Sequence, residues 1–322
     1  VRAISPRATA GLVAVFALLP LAGERYPLEL GSEMMILGLF AVSFNLLLGY
    51  AGLVSFGHAA FFALGAYGCA ILLTTLQWPI VAALPAAVAL AALAATVVGA
   101  FCVRLAEIYF AMLTLAFAQL VWAIGLRWSS VTGGDNGFVG IRMPAFLDGA
   151  VPLYYFVFAV VLLSLGVLHT IGRSAFGQIL VATRENPMRA AFVGVDVKRM
   201  RLAAFVLSGA FSGVAGGLFA LHKGSVFLET AYWTRSADVL IMTILGGIYS
   251  FVGPFLGAIV LVLLNRLTAV YTVYWPTVLG AILLLVLFFM PNGLIGLFKR
   301  GAQANAGTPE RLQAFRRLLG HR

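Results

Sequence analysis

The chain of 322 residues is 62% hydrophobic and only 10% charged, where ordinary soluble domains carry about 25% charged residues. It lacks the polar surface that a soluble fold of this size requires, and glycine spread through long apolar runs reads as an all-α polytopic membrane protein. The formal net charge of +10 does not indicate a nucleic-acid partner, because the basic residues sit at the ends of apolar stretches, where they report orientation.

A membrane crossing takes about 20 mainly apolar residues. The first apolar run, 8–23, follows Arg2 and Arg7 and has the outline of a secretory signal peptide; the spans downstream make it a first crossing instead. Next come 34–48 and 57–76, separated by the Gly-rich stretch GYAGLVSFG at 49–57. The runs 79–103, 108–127 and 151–171 follow, then a segment at 172–201 with eight charges, six of them basic. Beyond it lie 202–221, the pair 237–246 and 253–266 around GGIYSFVGP, a last span at 276–289 and a basic tail at 299–322. The expectation is a single transmembrane domain over 1–322 with about ten crossings, including two Gly-broken helical hairpins. The two breaks resemble each other: Leu48 and Gly49 precede Ser55, Phe56 and Gly57, much as Leu245 and Gly246 precede Ser250, Phe251 and Gly253. Repeated halves are common in transporters, so an internal duplication is one reading.

Charge bias orients the chain. With the N-terminus in the cytoplasm, Arg2, Arg7, Arg104, the six basic residues of 172–201 and the six of the tail fall inside. Arg25, Arg127, Arg142, Lys223, Arg235 and Arg266 fall outside. A single crossing over 237–266 would put the tail and the segment 172–201 on opposite sides, against the positive-inside bias. Both termini are therefore expected in the cytoplasm. The second break is expected to be a reversal, as a full hairpin or a pair of half-helices.

Within 172–201 the residue order predicts a helix over 175–184, then Asn186 as a cap and Pro187 opening a new helix. A short apolar helix over 188–193 ends at Gly194, and Asp196 caps the helix that enters the next span. A plain topogenic loop needs the basic residues but not this order. A docking protein would use both parts, an apolar helix set in a groove and charges that fix its register.

The stretch RENPMRAAFVGVDVKRMRLAAFVLSGAFSGVAGGLFAL at 184–221 resembles the cytoplasmic coupling segment of ABC importer permeases, an E-x-x-x-A-x-x-x-G-V pattern before a span. Glu185, Ala190 or Ala191, Gly194 and Val195 hold its places. More narrowly, the chain resembles the M-type permease subunit of high-affinity branched-chain amino acid ABC importers. The matching pieces are NLLLGYAGLVSFGHAAFFALGAY (45–67), YFAMLTLAFAQ (109–119), TGGDNGFVGI (132–141), the coupling segment, TILGGIYSFVGPFLGA (243–258) and MPNGLIGL (290–297). They run in this order over nearly the whole chain.

The resemblance implies a permease of the inner (cytoplasmic) membrane for branched-chain or other neutral amino acids, with small amides such as urea as the alternative. It implies a second, H-type permease with a pathway between the two, two cytosolic ATP-binding subunits, and a periplasmic or surface amino-acid-binding protein. Arg184, Glu185, Asn186, Arg189, Gly194 and Asp196 are then the candidates for coupling to the ATPases. The sequence contains no G-x-x-x-x-G-K-[ST] phosphate loop, and ALHKGS at 220–225 lacks its spacing, so ATP hydrolysis is assigned to a partner and no cofactor is expected.

Ionisable residues are almost absent from the expected spans, with Glu107 and Asp238 at their ends; this disfavours a carrier built on buried carboxylates. Asn45, Ser55 and His58 cluster at the first break. They either border the translocation pathway or belong to a hairpin turn at the cytoplasmic face. Gln119 is a pathway contact or an interhelical hydrogen bond, and Thr114 reads as the latter. Gly133, Gly134, Asp135 and Asn136 make an external turn, or the surface that faces the binding protein, which the resemblance favours. His169, His222 and His321 lack ligand spacing, so no metal is expected, and Cys69 and Cys102 read as small buried hydrophobes. Tyr154, Tyr155, Trp233, Tyr274 and Trp275 sit near span ends, as interfacial aromatics do. Two rival functions have a foothold. Ser55 and His58 offer a nucleophile and base for an intramembrane hydrolase, without an oxyanion-hole motif. A stand-alone channel or carrier would leave the coupling segment without a use.

Overall fold

The computed structural model describes residues 6–22 and 25–271, with isolated positions between 277 and 296. The expected span at 276–289 and the MPNGLIGL motif lie largely outside the described residues; Tyr274, Trp275, Arg2, His321 and the tail at 299–322 lie wholly outside them. Long apolar runs become helices because a chain in hydrocarbon must satisfy its own backbone N–H and C=O groups. In order they are α1 (Pro6–Leu18), α2 (Arg25–Asn45), α3 (His58–Thr74), α4 (Ile80–Cys102), α5 (Glu107–Arg127), the one-turn α6 (Ser129–Thr132), α7 (Ala150–Arg173), α8 (Ala175–Glu185), α9 (Pro187–Phe192), α10 (Val197–Lys223), α11 (Trp233–Gly246) and α12 (Gly253–Tyr271). Two short strands, β1 (Phe138–Val139) and β2 (Ser225–Val226), pair antiparallel with Phe138 opposite Val226. Among the described residues, five helices are long and apolar enough to cross a membrane: α2 with its extension to Ala51, α4, α5, α7 and α10. The shorter α3 and α12 are also apolar.

The spine of the bundle is α10. Its Ser208, Gly209, Ser212, Gly213, Gly216 and Gly217 are all buried. On one side α3 comes so close that Gly65 faces the backbone of Gly213, and Gly216 faces the carbonyl of Phe62. On another, α4 presents Ala83, Ala87, Ala91 and Ala95, a stripe at every fourth residue that is fully buried. Ala95 meets Gly209 and Ala91 meets Gly213. Small residues let helix backbones touch, which matters where lipid is as apolar as the side chains and burial alone gives no drive. The apolar window of α2 is buried throughout, whereas only 17% of that of α5 is. Val81, Ile108, Met112 and Leu163 point away from the protein, the side on which lipid tails lie.

Contacts give the helices their directions. Near its start α2 carries Glu33, paired with Lys223 (3.1 Å) at the end of α10 and with Arg266 (2.6 Å) on α12. At its other end α2 meets α8. One end of the bundle therefore holds α8 and α9, and the other holds the β1–β2 pair. The helix α2 starts at Arg25 rather than at 34, which draws Glu33 inside; the expectation that ionisable groups keep to span ends is corrected here. Asp238 likewise sits in the second turn of α11 rather than at its edge. Each has a cation within reach: Lys223 and Arg266 for Glu33, whose side chain is mostly covered, and Arg235 for the half-exposed Asp238.

The two Gly-rich breaks have similar residues and different geometries. Helices α11 and α12 form a tight antiparallel pair, with Gly246 against Gly253 and Gly257 against the carbonyl of Met242. By contrast α2 ends in a π turn, Leu46–Ala51, and an extended connector at 52–57 leads into α3, which packs along α10 and α4. Four residues after the break, where α12 has Gly257, α3 has Phe61, and α3 meets α2 through the rings of Phe62 and His58 against Phe40 and Phe44 rather than backbone to backbone.

Gly216→Val should lower the stability of the detergent-solubilised protein by about 1–3 kcal/mol through overpacking against Phe62. Gly166→Ala on α7, where an added methyl meets nothing within 4 Å, should leave the thermal midpoint unchanged or slightly raised. Circular dichroism melts compare the two, and equal losses would refute the backbone-contact account.

Candidate functional site

The site is built around the start of α3, which lies inside the bundle. The first N–H groups of a helix have no partner within it. Here they find hydroxyls from three elements. Phe56 N–H donates to Thr114 Oγ1 on α5 (3.2 Å), Gly57 N–H to Ser55 Oγ (3.1 Å) and Ala59 N–H to Ser236 Oγ on α11 (2.9 Å). The connector before it is held where non-helical backbone would otherwise be left unsatisfied.

The His58 ring lies between two of these hydroxyl systems, Nδ1 3.0 Å from Ser55 Oγ and Nε2 2.7 Å from Ser208 Oγ. Ser208 spends its only proton on the carbonyl of Ser43 (2.6 Å). It must therefore accept from His58, which assigns the ring proton to Nε2 and makes Nδ1 the acceptor for Ser55. Phe44, Phe61 and Phe205 stand edge-on around the ring with centroids 4.8–5.8 Å away. Ser55 and His58 thus have the separation of a nucleophile and its base, but both are buried within this chain, with Ser55 holding the Gly57 N–H and His58 held by Ser208. Asn45 Nδ2 donates to the carbonyl of Ser250 (3.1 Å), so the first break is tied to the second. Gln119 stands apart: it is half-buried on α5, five residues beyond Thr114 and turned to a different face.

At the end of the bundle, α8 and α9 form a stem and a knob. A sharp turn at Ser174 separates α7 from α8, and Gly177 fits against the carbonyl of Gly172. Asn186 Oδ1 accepts from Arg189 N–H (2.9 Å) with Pro187 in the first turn, as the residue order predicts. Gly194 takes φ 93°, a left-handed conformation that suits glycine, and ends α9. Asp196 caps α10 through Arg199 N–H (3.1 Å) and pairs with the Arg199 side chain (3.0 Å). The short helix buries Ala190 and leaves Met188, Phe192 and Val193 at 69%, 86% and 85% exposure. Glu185 points outward beside Arg184.

Arg184 is the joint. Its guanidinium donates to the carbonyl of Gly49 in the π turn, lies 5.0 Å from the ring centre of Tyr249 in the second break, and its stem packs on Gly52. One side chain of the α8 stem thus touches both breaks. Sequence reasoning missed this, and it missed Ser208, Ser212 and Ser236. The signal available was Ser208 and Ser212 at i, i+4, a polar stripe on an otherwise apolar helix.

At the opposite end, Gly133, Gly134, Asp135 and Asn136 form a turn after α6, with Asp135 and Asn136 exposed and Gly134 buried. Gly137 closes it against Phe227. Among the described residues no group of three or more His, Cys, Asp and Glu side chains converges as a metal site would.

The sequence profile described as branched-chain amino acid transport system / permease component matches residues 26–289. The chain is 29% identical over 322 residues to the high-affinity branched-chain amino acid transport system permease protein LivM of Escherichia coli (strain K12), covering 92% of this chain and 76% of that protein. It is 25% identical over 308 residues to the probable branched-chain amino acid transport permease protein LivM of Methanocaldococcus jannaschii, covering 79% and 89%. A shorter match, 29% over 159 residues, links 45% of this chain to 48% of the probable permease protein LivH of the same organism. No solved structure gives a significant match.

Thr114→Val should strand the part-buried Phe56 N–H and cost about 1 kcal/mol or more. Thr114→Ser, which keeps the acceptor, should restore most of it. Thr96→Val on the exposed face of α4 should cost little, because Thr96 bonds only back to Ala92. Thermal unfolding of the three variants in one detergent checks the ranking.

Proposed function

The chain belongs to the branched-chain amino acid transport permease family, and from that premise we propose that it is a membrane-spanning subunit of an ATP-binding cassette importer for branched-chain amino acids. The observation that carries the energy-coupling part is the knob of α9, whose apolar Met188, Phe192 and Val193 protrude among charges at one end of the bundle. An apolar helix held outward on a capped, braced stem has the form of a docking element. Its partner in this reading is a cytosolic ATP-binding subunit, one of two in the complex.

The segment 172–201 then faces the cytoplasm of the inner membrane, in keeping with its six basic residues. Both termini lie on that side, with about ten crossings in all, the two breaks counted as reversals. A second permease, of the kind the LivH match represents, completes the pathway. An amino-acid-binding protein docks at the opposite end, against the turn at Gly133, Gly134, Asp135 and Asn136. Force applied by the ATPases to α9 passes through Glu185, Asn186, Arg189, Gly194 and Asp196, which hold its shape, to Arg184. From there it reaches both breaks at once, through Gly49 and Tyr249. Asn45, Ser55 and His58 act in transport as the pivot on which α2 and α3 change angle, and Gln119 is the polar side chain with access to a passage.

Reconstitution with the neighbouring subunits tests this: uptake of labelled leucine should require both ATP and the binding protein. Phe192→Asp, on a side chain that packs on little within the chain, should cut co-purification of the ATPases at least about ten-fold without reducing membrane insertion. Arg184→Ala should keep the ATPases bound and hydrolysing while uptake falls by about ten-fold or more. Wild-type uptake by both variants would remove α9 and Arg184 from the transport cycle.

A further inference from the structure

A cavity of about 480 Å³ between α1, α7 and the start of α12 is apolar and open on one side, and nothing in the structure shows what fills it. A second cavity, of about 360 Å³, has a different character. It lies at the end of the bundle away from α9, where α10 ends and α11 begins. Its lining includes Lys223, Arg235, Glu229 and Asp238 together with Phe219 and Phe227. Four ionisable groups of both signs meet there, in a chain with only 10% charged residues.

The charges are set against aromatic rings. The Arg235 guanidinium lies 5.3 Å from the ring centre of Phe219 and 5.8 Å from that of Phe62, and the Lys223 ammonium lies 5.8 Å from Phe219. Arg235 is only 23% exposed. Its distance to Asp238 is 3.7 Å, longer than a hydrogen bond, so this ion pair can open to admit a ligand without losing one. Lys223 is already engaged by Glu33 at 3.1 Å, which leaves Arg235 as the cation suited to a new carboxylate, gripped bidentately.

We propose that this pocket binds the zwitterionic head of an α-amino acid: Arg235 takes the carboxylate, Asp238 and Glu229 take the ammonium, and Phe219 and Phe227 receive the apolar side chain. The proposal rests on the importer reading and narrows its substrate. A free amino acid carries both charges one carbon apart and so satisfies both signs of the pocket. An amine or an acid alone would engage only one sign of the pocket and forgo the other charge-assisted bond. A neutral amide such as urea would engage neither. The volume is at the small end of ligand pockets, which suits a single amino acid. Placement agrees as well. Phe227 packs on Gly137, beside the turn proposed to meet the binding protein, and α11 runs from the pocket to the break where Arg184 touches Tyr249.

The test uses the assembled membrane complex in nanodiscs without the binding protein, with labelled L-leucine as probe. Saturable binding should appear and should weaken about ten-fold or more in Arg235→Gln and in Asp238→Asn, with Arg235→Lys intermediate. Excess 4-methylpentanoate, 3-methylbutylamine or urea should displace little, while unlabelled L-valine should compete. An unchanged size-exclusion profile, with every subunit still present, shows that the variant complexes are intact. Absent binding, equal competition by the single-charge analogues, or wild-type binding by intact variants would each overturn the pocket. Uptake with the binding protein present is read separately. Leucine uptake without pocket binding would sink this inference alone, whereas failure of leucine uptake in the wild type would sink the importer reading.

Discussion

A helix that begins inside an apolar bundle has to find acceptors for N–H groups that its own turns cannot satisfy. That requirement organises this protein. The start of α3 is supplied by Ser55 from the connector, Thr114 from α5 and Ser236 from α11, so three segments far apart in the chain are fixed against one helix end. His58 extends the same set to Ser208 on α10 and through it to the backbone of α2. The polar groups of this set are few, and Ser55, His58, Thr114, Ser208 and Ser236 each have a partner. Breaking one costs more here than in water, because no solvent replaces the lost partner.

Close helix packing surrounds that point. The close contacts of α10 with α3 and α4, glycine against backbone and alanine against glycine, leave little room for independent sliding. The π turn and the two breaks are where the helical pattern is interrupted, and Arg184 touches both breaks. In the proposed importer, this contact is the route by which a displacement at α9 reaches both breaks.

The breaks also show how far a motif can mislead. GYAGLVSFG and GGIYSFVGP share a Leu-Gly lead and a Ser-Phe core, and a common hairpin was the natural expectation from those residues. Glycine at 257 allows α12 to lie on the backbone of α11, whereas α3 runs back along α2 with Phe62 and His58 against Phe40 and Phe44, and comes closest to α10. The same turn residues thus accompany two degrees of closeness, because the separation of packed helices follows the side-chain volume where they cross.

What was legible in the sequence was whatever depends on local chemistry. Hydropathy marked the long helices, since backbone hydrogen bonds in lipid must close within a segment. Asn186, Pro187, Gly194 and Asp196 marked the boundaries of α9 and α10, since caps act on neighbours a few residues away. The family resemblance was likewise carried by contiguous stretches. What only the tertiary structure decided was the identity of partners distant in sequence: Thr114 and Ser236 at the start of α3, Arg184 at both breaks, Glu33 between Lys223 and Arg266, and the mixed-charge cavity beside Phe219. Serine, threonine and arginine side chains make the same bonds with any suitable acceptor or donor. Their types therefore announce that a partner exists, while only the packing of helices brings a particular one within 3 or 4 Å.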